Sequence, residues 1–166
     1  YARHYPAINW TESYSEYFID LDPWYTEHLG EDFVKYRRRI SQLLQEENKL
    51  MEIVKLIGSD VLPDDQKLII EIARVIRVGF PQQNAFHQED TYVPLEKQRE
   101  MMRVILHLYR KARQLISASV PISNILQTGL FDKLVKMKYD IPNNRLDMFD
   151  EYTAEIDKLL ADLVAA

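Results

Sequence analysis

Residues 80–86 combine aromatic and amide side chains in a short stretch that ends a helical pattern, with the sequence Phe-Pro-Gln-Gln-Asn-Ala-Phe. Amide groups can hydrogen bond to the edge of a nucleobase, and aromatic rings can stack on its face. A loop that binds a base would therefore bring these residue types together. A helix terminator anchored in the core by Phe80 and Phe86 would have the same sequence, so both interpretations stay open at this point.

A second segment, the hairpin tip at residues 57–65, places apolar side chains among acids at a sharp reversal of the chain. Gly58 and Pro63 predict a tight connection between two helices, because glycine and proline favour turns. Such a connection leaves little room for burial, so we expect Val61 and Leu62 to be exposed and to form a protein contact. The alternative is an ordinary hairpin turn in which Leu62 folds back as the hydrophobic contact of a helix C-cap.

Metal and nucleophile chemistry have little support in the sequence. The chain has no cysteine, which excludes disulfides, thiolate metal ligands and cysteine nucleophiles. His87, Glu89 and Asp90 lie close together and could hold a metal ion, although three polar residues in a polar loop are usually just solvated. No histidine follows a glutamate in an E-x-x-H pattern, and no serine lies in a nucleophile elbow. Di-iron and Ser-His-Asp chemistry are therefore not indicated.

Composition narrows the function classes further. The chain has 166 residues, enough for one domain with a real core, and a net charge of −5, which argues against a basic nucleic-acid binder. It has only four glycines, and their spacing allows neither a phosphate loop nor a G-x-G dinucleotide motif. No apolar run is long enough to span a membrane. Because the chain starts without methionine or a signal-peptide pattern, we expect it to be part of a longer protein.

The elements that position these segments are predicted to be helices, because apolar residues recur at three- and four-residue steps. Glycine and proline residues mark the ends of these helical stretches. The predicted fold class is all-α, an antiparallel helical bundle with short connections, preceded by a short extended N-terminal segment. Met101 and Met102 lie on the most regular apolar face and are expected in the core. The predicted helices cover residues 22–30, 31–57, 63–80, 94–116, 122–126, 131–139 and about 146–164.

The helix predicted over residues 31–57 also has a basic run, made of Lys35, Arg37, Arg38 and Arg39. The run is expected to face away from the apolar stripe of this helix. A solvated helix face is the simplest interpretation of such a pattern. A contact to an acidic partner is the alternative.

Two longer motifs and four shorter ones are more specific than these general patterns. The longer motifs are Arg-His-Tyr-Pro-Ala-Ile-Asn-Trp at residues 3–10, followed by Ser-Tyr-Ser, and the aromatic and amide loop at residues 80–86. The shorter ones are Asp-Thr-Tyr at 90–92, Leu-Glu-Lys-Gln at 95–98, Val-Pro-Ile-Ser at 120–123 and Met-Lys-Tyr at 137–139. Together they resemble the C-terminal part of the catalytic A subunit of V-type and archaeal-type ATP synthases. The resemblance implies that residues 1–10 end a nucleotide-binding domain and that residues 11–166 form a C-terminal helical bundle domain.

The resemblance implies a role in adenine packing. In the family, an aromatic residue at the position of Tyr5 stacks on the adenine beside Pro6, and the loop at residues 80–86 closes the other side of the pocket. The implied base contacts are Tyr5, Pro6, Phe80, Gln82, Gln83, Asn84, Ala85 and Phe86. The family usually has leucine at the position of Pro81. Proline removes an N–H and fixes φ, which can change the backbone path near Gln82.

The same resemblance places the catalytic chemistry elsewhere in the parent subunit. The phosphate loop, the Mg²⁺-holding residues and the catalytic glutamate of the family lie upstream of the matched part. No catalytic or metal-binding residue is therefore expected in this chain. The implied cofactors are ATP or ADP with Mg²⁺ in the full-length parent, with none tightly bound to this part alone. The implied activity is ATP hydrolysis or synthesis coupled to proton or sodium transport, and the 166-residue chain alone is expected to be inactive.

The hairpin tip resembles in position a loop of the related F-type β subunit that bears on the rotating central stalk. The implied stalk contacts are Asp60, Val61, Leu62, Asp64 and Asp65. The implied partners are the B subunits of the catalytic ring and the central stalk subunit, with no nucleic acid and no direct membrane insertion. The implied location is cytoplasmic and peripheral to the membrane. A free-standing helical interaction module and the non-catalytic subunit of the same ring are the alternatives.

Overall fold

The structure, a computed structural model, describes Glu27 and residues 30–80 and 93–165. This part of the chain contains α-helices, one 3₁₀ turn and no strand, which confirms the predicted all-α class. The helices are α1 (Glu31–Ile57), α2 (Asp64–Gly79), α3 (Leu95–Ser117), α4 (Ile122–Leu126), α5 (Leu130–Val135), α6 (Met137–Asp140) and α7 (Met148–Ala165). Three expected features lie outside the described residues: the extended segment at 1–10, most of the helix at 22–30 and the loop that follows Phe80.

Glycine and proline set the helix boundaries as predicted. Gly30 and Gly58 flank α1 with φ of 88° at both positions, a backbone conformation that glycine adopts without strain. Pro63 precedes α2 and Pro94 precedes α3, where the missing proline N–H costs nothing. Acids occupy the first turns of α1 and α2, where the helix dipole favours negative charge.

Helix α3 lies at the centre of the bundle and packs against α1, α2 and α7. Its Met101 and Met102 side chains are fully buried, which confirms their assignment to the core. Helix α2 also packs against the short helix α5. The largest buried side chains of the shared core are Phe33, Ile40, Leu43, Leu68, Ile72, Ile76, Ile105, Leu108 and Phe149.

The basic run of α1 differs from the sequence-based expectation. Arg37 is only 7% exposed, because it lies four residues after the buried Phe33 and so falls on the apolar stripe rather than opposite it. Arg39 is held by Glu46 at 3.4 Å and by the Tyr109 hydroxyl at 3.4 Å. The interpretation of the whole run as a solvated face is therefore wrong at these two positions.

Two further expectations need correction. The helix predicted over residues 131–139 is divided into α5 and α6, because the chain departs from regular helix at Lys136. Ile57, which the periodicity places on the apolar stripe of α1, is exposed because it lies at the C-terminal end of α1, two turns after Leu50, the last buried residue of the helix. Within the described ranges, no helix has the length and apolarity needed to cross a lipid bilayer.

Candidate functional site

The last two turns of α1 project beyond the core. Leu50 is the last buried residue of the helix, although apolar side chains continue after it at helical spacing. Ile53, Leu56 and Ile57 on α1 and Val61 in the following turn are all exposed, and these four residues are named the tip patch. Several exposed apolar side chains close together in the sequence of a small domain are typical of a contact surface.

The turn between α1 and α2 determines which side chain joins this patch. The N–H of Gly58 donates to the Val54 carbonyl at 2.9 Å, and a 3₁₀ turn follows at Ser59–Val61. Val61 is 58% exposed, as predicted, whereas Leu62 is only 6% exposed. The expected exposure of Leu62 is therefore wrong, because its backbone becomes extended after the turn and its side chain folds back against the bundle.

The three acids of the tip have different environments. Asp60 and Asp65 are exposed. Asp64 is partly buried, and its Oδ2 accepts a hydrogen bond from the Ile122 N–H at 3.0 Å. This bond satisfies one of the N–H groups at the start of α4 and ties the hairpin tip to it. Asp64 therefore has a structural role that its position among acids did not indicate.

Only the borders of the aromatic and amide loop are described. Phe80 is buried in the core, and its N–H donates to the Ile76 carbonyl at 2.9 Å, so it anchors the point where the loop leaves α2. Val93 is buried on the other side, and its carbonyl accepts a hydrogen bond from Gln98 Nε2 at 2.8 Å. The other implied base contacts lie outside the described residues: Tyr5, Pro6, Gln82, Gln83, Asn84, Ala85 and Phe86.

Lys97, in the first turn of α3, is a buried cation that the motif analysis did not single out. Lys97 is only 2% exposed, and its Nζ donates to the carbonyls of Lys138 at 2.8 Å and Ile141 at 2.6 Å. It also donates to Asn143 Oδ1 at 2.9 Å. The ammonium thus caps carbonyls at the end of α6 and fixes the start of α3. Its spacing, four residues before buried Met101, could have indicated an inward-facing lysine.

The described residues contain no group of three histidine, aspartate or glutamate side chains placed to hold a metal ion. The conceivable ligands His87, Glu89 and Asp90 lie outside this part of the chain. None of the glycines forms a phosphate loop, which needs a specific glycine and lysine spacing.

These features define a helical bundle domain with an exposed apolar hairpin tip and with buried residues, Phe80 and Val93, at the borders of the aromatic and amide loop. A family model described as the C-terminal domain of V and A type ATP synthase matches residues 22–126. The chain belongs to this family.

Individual relatives extend the match over nearly the whole chain. It is 49% identical to V-type ATP synthase alpha chain 2 of Clostridium tetani over 99% of its residues. It is 51% identical to the V-type ATP synthase alpha chain of Halothermothrix orenii over 95% of its residues. It is 43% identical to the A subunit of the A-type ATP synthase of Methanopyrus kandleri over 98%. The chain spans only 27–28% of the length of these relatives.

Proposed function

We propose that this chain is the C-terminal helical domain of the catalytic subunit of a rotary, ion-translocating ATP synthase or ATPase, in which it closes the adenine pocket and contacts the central stalk. The family match and the names of the relatives support the proposal. Its proposed partners are the B subunits of the ring and the stalk subunit, in a cytoplasmic head at the membrane. The nucleotide would be ATP or ADP with Mg²⁺, whose phosphates and metal are held by the remainder of the subunit.

The observation that carries the proposal is that one helix joins the two functional segments. Helix α2 begins at Asp64, within the hairpin tip, and ends at Gly79, directly before the aromatic and amide loop. Its sixteen residues span about 24 Å at 1.5 Å per residue. A displacement of the tip by a rotating stalk would therefore reach the loop through a continuous helix.

The packing of α2 supports such a role as a lever. It contacts α1, α3 and α5, and its fully buried residues include Leu68 and Ile72. Near its C-terminus, Arg77 pairs with Glu47 Oε1 at 2.5 Å and donates to Asn48 Oδ1 at 3.3 Å. Both partners lie on α1, so the two helices of the hairpin would move together. Closely packed elements transmit small displacements because they deform little.

The stalk contact is tested by Ile57→Ser combined with Val61→Ser in the assembled complex. Each apolar side chain buried in a contact contributes up to about 1.5–3 kcal/mol, so losing two should weaken the coupling of rotation to ATP turnover. We expect fewer ions transported per ATP hydrolysed, measured with both rates on reconstituted vesicles. The thermal stability of the 166-residue chain should stay nearly unchanged, because both side chains are exposed in it.

A matched control removes two other exposed apolar groups, with Tyr139→Ser and Val164→Ser. These lie on α6 and α7 and are not part of the tip patch, so the ratio of ions to ATP should match the parent. An equal loss of coupling in both double variants, or an unchanged ratio in the tip variant, would contradict the stalk contact.

The adenine contact is tested by Phe86→Ala in the full-length subunit. Loss of one aromatic stacking partner should weaken nucleotide binding by about 1–3 kcal/mol, by analogy with base stacking on aromatic residues. The measurement is titration calorimetry with MgATP and MgADP, together with a thermal melt.

Phe80→Ala is the comparison variant, because Phe80 is buried in the core. It should lower the melting temperature, whereas Phe86→Ala should not. If Phe86→Ala destabilises the domain and leaves nucleotide affinity unchanged, Phe86 is a core anchor and its proposed contact with adenine is wrong.

A further inference from the structure

A groove of about 320 Å³ lies between α1 and α3, on a surface that the proposed function does not use. Four arginines line it, Arg39 from α1 and Arg103, Arg110 and Arg113 from α3. The α3 residues share one face because they recur at steps of seven and three. The volume lies within the range of small-molecule sites, roughly 300–1,000 Å³. No acidic side chain is part of the lining.

Two of these arginines are held in place by acids at the rim. Arg103 donates to Glu100 Oε1 at 2.8 Å and to Asp150 Oδ1 at 3.0 Å. Arg39 pairs with Glu46 at 3.4 Å and lies over the Tyr109 ring, 5.4 Å from its centroid. These contacts fix the positions of two guanidinium groups before any ligand arrives. Preorganised donors of this kind lower the ordering cost of binding.

Arg110 and Arg113 form no ion pair with an acid in the part of the chain that the structure describes. Arg110 contacts His107 Nδ1 at 3.0 Å, while His107 Nε2 lies 2.7 Å from Asp157 Oδ1. A guanidinium can only donate, so Nδ1 accepts and Nε2 carries the proton that is donated to Asp157. Arg113 is exposed and makes no hydrogen bond or ion pair with the residues described. The lining therefore carries four guanidinium charges and no carboxylate, with Glu46, Glu100, Asp150 and Asp157 around it.

The groove offers many hydrogen-bond donors and few acceptors, and this balance determines which ligand fits it. The guanidinium groups donate only, and the Tyr109 hydroxyl already accepts from Arg39 at 3.4 Å. An extended peptide would bring backbone N–H groups that find few acceptors here, whereas a phosphoryl group presents acceptors alone. Arginine forks also match the geometry of phosphate oxygens. Phosphoryl oxygens therefore fit these donors better than an acidic peptide does.

We propose that this groove binds a chain of two or three linked phosphoryl groups, either free polyphosphate or the phosphate tail of a nucleotide. Arg103 and Arg110 lie seven residues apart on α3, which corresponds to about 10 Å along the helix. A single phosphate cannot span that distance, whereas a linked chain can contact Arg103, Arg110 and Arg113 in turn. All the residues that line the groove belong to α1 and α3.

The test is a titration of the isotope-labelled 166-residue chain with sodium tripolyphosphate at low salt, followed by NMR and calorimetry. Signals from the arginine side chains of the groove and from the adjoining turns of α1 and α3 should shift. Arg110→Gln combined with Arg113→Gln should weaken binding about tenfold or more, because two charge-assisted contacts are lost. Arg110→Lys with Arg113→Lys keeps the charge but loses the forks, and should weaken binding less.

The matched control is Lys49→Gln combined with Lys55→Gln, which removes the same charge from exposed positions of α1 outside the groove. It should change the dissociation constant by less than about twofold, since exposed distant charges are screened. Equal weakening in both double variants, or no binding of tripolyphosphate, would overturn the proposal. Tighter binding of hexaglutamate than of tripolyphosphate would also overturn it, in favour of an acidic protein segment. If ATP binds as tightly as tripolyphosphate, the ligand of the site is the phosphate tail of a nucleotide. If ATP binds more weakly than tripolyphosphate, the ligand is free polyphosphate.

Discussion

Replacing Lys97 with methionine should lower the free energy of unfolding by about 2–4 kcal/mol, because two buried carbonyls and one partly buried side-chain oxygen lose their donor. Those acceptors are the carbonyls of Lys138 and Ile141 and the side-chain oxygen of Asn143. Methionine fills a similar volume, so the loss reports the missing hydrogen bonds rather than a cavity. Denaturant unfolding followed by circular dichroism measures the change.

The same substitution at Lys111 is the control. Lys111 lies on the same helix but is partly exposed, and its nearest acid, Asp157, is 3.8 Å away. Surface pairs of this kind contribute about 0–1 kcal/mol, so Lys111→Met should be nearly neutral. Equal stability losses at the two positions, or none at Lys97, would contradict the capping role.

The pH dependence provides a second readout for Lys97. Burial, and then the neighbouring Lys138 ammonium, lower the pKa of Lys97 from its ordinary value of 10.5. Between the lowered folded pKa and 10.5, the unfolded chain binds more protons than the folded one. The stability of the parent relative to Lys97→Met should therefore rise with pH through this alkaline window. A fall over the same window would indicate a raised pKa instead.

Glycine and proline at helix boundaries and the helical spacing of apolar residues predicted most of the fold. Gly58, Pro63 and Pro94 mark helix boundaries through backbone conformations that do not depend on the rest of the chain. The buried face of α3 follows from the helical spacing of Met101, Ile105 and Leu108. Both the helix boundaries and this buried face depend on residues close together in sequence, so the sequence alone predicts them.

The positions where prediction failed depend on tertiary packing. Arg37 and Lys97 have the charge of surface residues but occupy apolar registers. The hydrogen-bond partners of Lys97 lie 41–46 residues away in sequence. Ile57 has the opposite character, since its register is apolar but its side chain is exposed. Which of Val61 and Leu62 faces solvent depends on the rotation of a single turn. In the candidate site, residue types indicated the hairpin tip, but only the structure separates its buried side chain from the exposed one.

Leu62→Asp should lower the free energy of unfolding by about 3–4 kcal/mol, because it removes a buried leucine side chain and places a carboxylate in its environment. Leu62 is 6% exposed, whereas its neighbour Val61 is 58% exposed. The identical change at Val61 adds one more charge to an exposed acidic turn and should alter stability by only about 0.5 kcal/mol. Thermal and denaturant melts of the two variants measure the difference directly. Equal losses at both positions would mean that the turn does not distinguish the two side chains. The expected asymmetry would show that Leu62 holds the hairpin tip together while Val61 remains free for a partner.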